Sequence, residues 1–128
     1  MMTVEWKPLV YRLSDGREWD LSSYYQVSNT GLIWNNFRKA LTGTLNKNIN
    51  PGTKFNQYRV FRAIVEREDG TKGMKYLRVH RAVACAFVDG YHIAYDIDHK
   101  DEDIYNNHYS NLQWLPMEEH RGKVVIDR

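Results

Sequence analysis

The 128-residue sequence has a single cysteine, Cys85, so neither an internal disulfide nor a multi-cysteine zinc site can form. Its neighbours Ala84, Ala86 and Phe87 are apolar, and a packed thiol is expected there. Long apolar runs are also missing. The longest, Ala82 to Val88, has seven residues against the roughly 20 that cross a bilayer, so no membrane span is expected. The opening residues Met1 to Lys7 lack the apolar stretch and small-residue cleavage site of a secretory signal, which points to a cytoplasmic protein. Internal repeats and low-complexity tracts are absent as well.

The composition is that of a chain that folds. With 42% hydrophobic, 13% aromatic and 27% charged residues it can bury a core, as one compact domain or a domain with a small appendage. The formal net charge of +2 conceals a segregation along the chain. Arg38 to Arg81 carries eleven Lys or Arg against Glu66, Glu68 and Asp69, a local +8, whereas Asp96 to Arg128 has eight acids against four bases, a local −4. A basic stretch suits a polyanion such as nucleic acid, and a carboxylate-rich segment suits a hard metal ion. Charge alone favours the plainer reading, a solvated surface.

Periodicity and turn residues divide the chain further. Trp6 to Trp19 shows no clean period and reads as a short strand or an irregular arm. In Ser23 to Trp34, aromatic and β-branched residues flank Asn29-Thr30-Gly31, the pattern of a hairpin. Lys39 to Gln57, rich in Asn, Gly, Thr and Lys, reads as a long connection with one short strand near Thr44-Leu45. Tyr58 to Val65 and Met74 to Val79 bracket Glu68-Asp69-Gly70-Thr71, a second hairpin. Val79, Val83, Ala86 and Phe87 recur at helical spacing, so a short buried helix is expected before Asp89-Gly90. Ala94 to Ile97 and Asn111 to Leu115 then read as antiparallel strands, and Pro116 opens an expected helix carrying Glu118, Glu119 and His120. Trp34, Tyr95 and Trp114 are expected to pack rather than to stack on bases.

Asp98-His99, Asn106-Asn107, Asn111-Leu112-Gln113-Trp114 and His120 follow one another as strand end, polar loop, returning strand and helix. In this order they resemble the HNH endonuclease family, in particular its phage and intron homing branch. Val79-His80-Arg81-Ala82-Val83-Ala84 resembles the helix that precedes the family's hairpin. Tyr24-Tyr25-Gln26-Val27-Ser28-Asn29-Thr30-Gly31 resembles a modular DNA-binding motif often joined in front of it. The resemblance runs from about Trp19 to His120. It implies an α+β fold of small β-hairpins and a short helix, followed by a ββα-metal motif. Residues 1–57 would be the front DNA-binding hairpin and linker, and 58–128 the nuclease domain with its ββα core at 94–122.

The chemistry asks for these residue types. Phosphodiester hydrolysis needs a water activated on one side of phosphorus and a stabilised leaving oxygen on the other. Neighbouring side chains at a strand end project oppositely, so Asp98 can hold a metal while His99 faces the water as general base. The resemblance assigns Asn111 to orienting His99, and His120 to completing the metal site with Asp98. Such a donor set fits Mg²⁺ or Mn²⁺ and tolerates Zn²⁺, Ni²⁺ or Co²⁺. Taken singly, Asp98 could cap a turn, Asn111 could close an Asx-turn and His120 could answer a helix dipole; only their joint spacing favours catalysis. Arg59, Arg62, Lys75 and Arg78, at alternating positions of the central hairpin, are expected to line one face and touch phosphates.

Two departures stand out. The loop carries Asp101-Glu102-Asp103, which adds negative charge near DNA, and Leu32-Ile33-Trp34 follows Gly31 where basic residues are common. The expected protein is a metal-dependent endonuclease acting on double-stranded DNA, a monomer rather than an oligomer, with a salt-sensitive and modestly sequence-specific grip. A non-catalytic DNA-binding protein on the same fold is the rival reading, and a nuclease of phage DNA packaging or host-DNA degradation is a third.

Overall fold

Tyr25-Gln26-Val27-Ser28 and Ile33-Trp34-Asn35 are short runs that favour extended backbone, separated by Gly31 at a φ of +99°. They pair antiparallel as β4 (Tyr25–Ser28) and β5 (Ile33–Asn35), the first expected hairpin. The computed structural model describes residues 3–47 and 58–117. The opening arm is more regular than its composition suggests. It forms β1 (Trp6–Pro8), β2 (Val10–Arg12) and β3 (Glu18–Asp20), because β1 finds a long-range partner in β4 that no local pattern announces. With β6 (Ala40–Leu41) the first sheet has the order β1-β4-β5-β6, and β2 and β3 form a ribbon of their own.

The basic middle of the chain supplies the second sheet. β8 (Tyr58–Glu66) and β9 (Lys72–Arg78) pair from Val60 opposite Arg78 to Glu66 opposite Lys72, and β7 (Thr44–Lys47) lines the other edge of β8. The chain passes without a loop from β9 into α1 (Val79–Phe87), whose first six residues are all buried. Cys85, on its later half, is half-buried. β10 (Tyr95–His99) and β11 (Leu112–Pro116) then form an antiparallel ribbon, with Ile97 opposite Trp114 and His99 opposite Leu112. Pro116 ends β11 opposite Tyr95, where its missing N–H interrupts no interior ladder bond, and Glu118, Glu119 and His120 of the helix expected from there lie outside the described residues. The described part of the chain is thus mostly β with one α-helix.

One hydrophobic cluster joins all of these pieces. Leu9, Tyr25, Val27 and Ile33 from the front meet Phe61, Ala63 and Leu77 of the second sheet, Val79 and Val83 of α1, and Ile97, Leu112 and Trp114 of the last ribbon. Trp114 is buried, Tyr95 packs against the cluster, and Trp34 stands edge-on to Trp6 at 6.4 Å. Two tyrosine hydroxyls stitch front to middle. Tyr25 Oη accepts from the Ile64 backbone N–H at 3.0 Å, and Tyr11 Oη accepts from that of Arg78 at 3.2 Å. Burial pushes the Tyr11 hydroxyl up to about 12, so it stays neutral at any ordinary pH. No helix among the described residues is long and apolar enough to cross a membrane.

Tyr25→Phe keeps the ring but leaves the Ile64 N–H without its acceptor. Urea unfolding should show a loss of about 1–2 kcal/mol with an unchanged m-value.

Candidate active site

Asp98 and His99 close β10, and both are nearly sealed from solvent, at 4% and 5% exposure. Their side chains leave the strand on opposite faces. Asp98 meets its cross-strand neighbour Gln113, whose Nε2 donates to Oδ2 at 2.8 Å. The imidazole of His99 enters a cluster of rings drawn from three elements. His80, the second residue of α1, lies 5.1 Å from it at 35°, and Tyr58, the first residue of β8, lies 6.1 Å away at 20°. Tyr58 and His80 themselves stack at 4.8 Å and 16°. The guanidinium of Arg78 sits 5.2 Å over the Tyr58 ring. Sequence reasoning leaves His80 as a packing residue; its ring contact with His99 is a feature that local pattern could not supply.

Burial is the main reason that both histidines are held neutral. His80 is pushed well below its ordinary value by desolvation and then by the neighbouring His99. His99 is also lowered by desolvation, partly offset by its hydrogen bond to Asn107 and by the charge of Asp101. That hydrogen bond runs between Nε2 and Asn107 Oδ1 at 2.9 Å. An amide oxygen can only accept, so Nε2 carries the proton and Nδ1 keeps the lone pair.

The ring of His99 is thus hydrogen-bonded by Asn107 and not by Asn111, the residue expected beside it. Asn111 is occupied one step away. Its Oδ1 accepts from the Asp101 backbone N–H at 3.1 Å, and its Nδ2 donates to Asp101 Oδ1 and to the Asn106 carbonyl, each at 2.9 Å. Asn106 Nδ2 donates to the other Asp101 oxygen at 2.8 Å. These bonds fold the loop back on itself so that Asn107, eight residues after His99, returns beside the ring. They also engage the first acid of the Asp101-Glu102-Asp103 run. Asp101 is a staple bound by amides, first among them Asn106, which lower its pKa.

His120, the expected partner of Asp98 at a metal, lies outside the described residues. Among the described residues no three His, Cys, Asp or Glu side chains converge as a metal cage. The Asp98 carboxylate is nevertheless the hard oxygen donor that a small divalent cation takes alongside water and phosphate oxygens.

The chain matches no protein-family model. It is 35% identical over 102 residues to the DNA endonuclease I-HmuI of Bacillus phage SP01, an alignment covering 77% of this chain and 52% of the relative. A solved structure described as "DNA binding and cleavage by the HNH homing endonuclease I-HmuI" aligns with a TM-score of 0.67 at 25% identity, covering 96% of this chain and 59% of that one. The chain is homologous to an HNH homing endonuclease and shares its fold. It spans little more than half the length of the relative it matches.

On this HNH scaffold the four expected phosphate contacts do not share one face. The register sets Arg78 opposite Val60 and Arg62 opposite Tyr76, so Arg62 and Arg78 lie in one row with Tyr58, which leads into the ring cluster. Arg59 and Lys75 have the other parity, that of Phe61 and Ala63. Arg59 donates to Asn46 Oδ1 at 3.1 Å, and Lys75 Nζ stands 4.9 Å over the Trp19 ring. Their spacing, 59 to 62 and 75 to 78, is odd, and in a strand an odd step changes face. Arg62 also borders a cavity of about 330 Å³ that it shares with Arg38 of the front sheet. Arg81 is buried and structural; its Nε donates to the Arg12 carbonyl at 2.6 Å, and its guanidinium lies 5.4 Å over Trp114.

An NMR titration of the imidazoles should give His99 a midpoint below 6.5. Asn107→Ala should move it lower still, because the lost acceptor favours the imidazolium. A midpoint at or above 6.5 in the parent protein would contradict the burial argument.

Proposed function

We propose that the protein is a metal-dependent endonuclease that hydrolyses phosphodiester bonds of double-stranded DNA. The observation that carries this reading is the buried Asp98–His99 pair at the end of β10, with the imidazole neutral and its Nε2 proton committed to Asn107. Its relative in Bacillus phage SP01 is a DNA endonuclease. His99 Nδ1 takes the proton of the attacking water, and the 2.9 Å bond to Asn107 stabilises the imidazolium that results. Asp98, with His120, would hold the divalent cation, Mg²⁺ or Mn²⁺, which when bound supplies Lewis-acid stabilisation of the leaving oxygen. The β10–β11 ribbon and the residues up to 122 would then form the ββα-metal core of a nuclease unit at 58–128, behind a front hairpin unit at 1–57.

The DNA backbone is taken to run along the row of Arg78 and Arg62 towards Arg38. Lys47, whose Nζ stands 4.3 Å over the Tyr76 ring, adds positive charge to the same face. Arg59 and Lys75 would meet phosphates only outside that row. Because these contacts address phosphates rather than base edges, affinity is dominated by counterion release.

His99→Ala should slow cleavage of supercoiled plasmid in Mg²⁺ or Mn²⁺ by about 10²-fold or more while DNA affinity stays within about twofold. EDTA should abolish cleavage by the parent protein. An active His99→Ala protein would remove the base assignment, and a chain that shifts DNA in a gel but cuts with no metal would be a binding module. Arg62→Ala and Arg78→Ala should each weaken binding and flatten the log–log salt dependence of affinity by about one unit. An unchanged salt slope in both variants would place the DNA elsewhere.

A further inference from the structure

The Ser28–Gly31 turn belongs to the motif that resembles a DNA-binding module, yet its contacts point inward, to the loop that holds Asn107. The Asn29 carbonyl accepts from the Tyr109 backbone N–H at 2.9 Å. Asn29 itself is 6% exposed, and its side chain is engaged at both ends, accepting from the Glu5 N–H at 3.1 Å and donating to the Thr3 carbonyl at 3.1 Å. Two residues on, Gly31 is packed so closely that a side chain there would push the Asn107 loop by a few tenths of an ångström. A Cβ there would come within 3.1 Å of Asn107 Cβ, 3.6 Å of Val79 Cγ1 and 3.7 Å of the Asn107 carbonyl oxygen. Gly31 thus stands between the residue that hydrogen-bonds His99 at its edge and the residue immediately before His80, which covers His99 on its face.

We infer that the Ser28–Gly31 turn is a positioning element of the active site, which holds Asn107, and through it the imidazole of His99, in the geometry that cleavage requires. This rests on the reading of His99 as general base. The turn acts from the far end of the chain, through one backbone hydrogen bond and one close backbone approach. A shift of the Asn107 loop by a fraction of an ångström lengthens the bond to Nε2 and loosens the ring, while the phosphate-contacting row on β8 and β9 is untouched. The turn should therefore govern the rate of the bound complex rather than its affinity.

Gly70 provides the control that separates this effect from backbone strain. It too has a positive φ, +83°, but a Cβ there meets nothing within 4 Å. In single-turnover cleavage of a saturating DNA duplex with Mg²⁺, Gly31→Ala should lower the rate by about tenfold or more with unchanged DNA affinity, and Gly70→Ala should stay within about twofold of the parent. In an Asn107→Ala background, Gly31→Ala should add no further loss. Tyr109→Pro removes the N–H that reaches Asn29 together with the ring that meets Phe87 and His108, and Tyr109→Ala, which loses the ring alone, is its reference; the preceding His108 already has the φ of −63° and ψ of 136° that proline tolerates. Tyr109→Pro should slow cleavage about threefold or more relative to Tyr109→Ala, and it keeps the test available if Gly31→Ala does not fold. A Gly31→Ala protein as fast as Gly70→Ala, or one that loses affinity at an unchanged rate, would overturn the inference; the latter would make the turn a DNA contact. His99→Ala run alongside separates the two levels. If it cleaves like the parent, the base assignment fails and the positioning role falls with it. If it is inactive while Gly31→Ala is not slowed, only the positioning role fails.

Discussion

The 2.9 Å hydrogen bond from His99 Nε2 to Asn107 Oδ1 determines which imidazole nitrogen is basic, and much of the surrounding architecture converges on keeping it. An imidazole at a strand end has two torsions to wander in and two tautomers to choose from. The edge-on bond selects the tautomer, while the rings of His80 and Tyr58 limit the torsions from one face. Asn107 can reach the ring only because Asp101, Asn106 and Asn111 bind one another and fold the loop back. Burial completes the arrangement, since the same desolvation that lowers the pKa of His99 strengthens each polar contact around it.

Much of this fold is legible in the sequence, for a local reason. Hairpins announce themselves by alternation and by the turn residues Asn29-Thr30-Gly31 and Asp69-Gly70, and α1 by the spacing of Val79 and Val83. The β10–β11 ribbon follows from two apolar runs around a polar loop. Pairing between distant segments is not legible. β1 joins β4, and Tyr58 meets His80 and His99, through contacts that no window of residues contains.

Within the candidate site, Asp98 and His99 stand out in the sequence because the proposed hydrolysis asks for a carboxylate and an imidazole side by side. The division of labour between Asn107 and Asn111 does not. Both are asparagines in one loop, and only the path of the backbone decides which reaches the ring. The phosphate contacts show a similar limit. Basic residues are easy to count, but parity sorts Arg62 and Arg78 from Arg59 and Lys75, and parity follows from a register that only the paired strands fix. The acidic loop likewise looks hostile to DNA as a string of letters, whereas Asp101 is turned into the loop's own hydrogen bonds.

The hydrogen bonds that reach across the chain have a consequence for the order in which the molecule is made. Tyr11 must wait for the backbone of Arg78, and Asn29 for that of Tyr109. Contacts of such sequence separation form late, after local hairpins, and a chain emerging from a ribosome in N-to-C order cannot close them until Arg78 and Tyr109 have been synthesised. The front hairpin can thus fold early, but the bond that tunes His99 awaits the last ribbon. A nascent chain can therefore carry Asp98 and His99 before the loop that fixes the imidazole has closed around them.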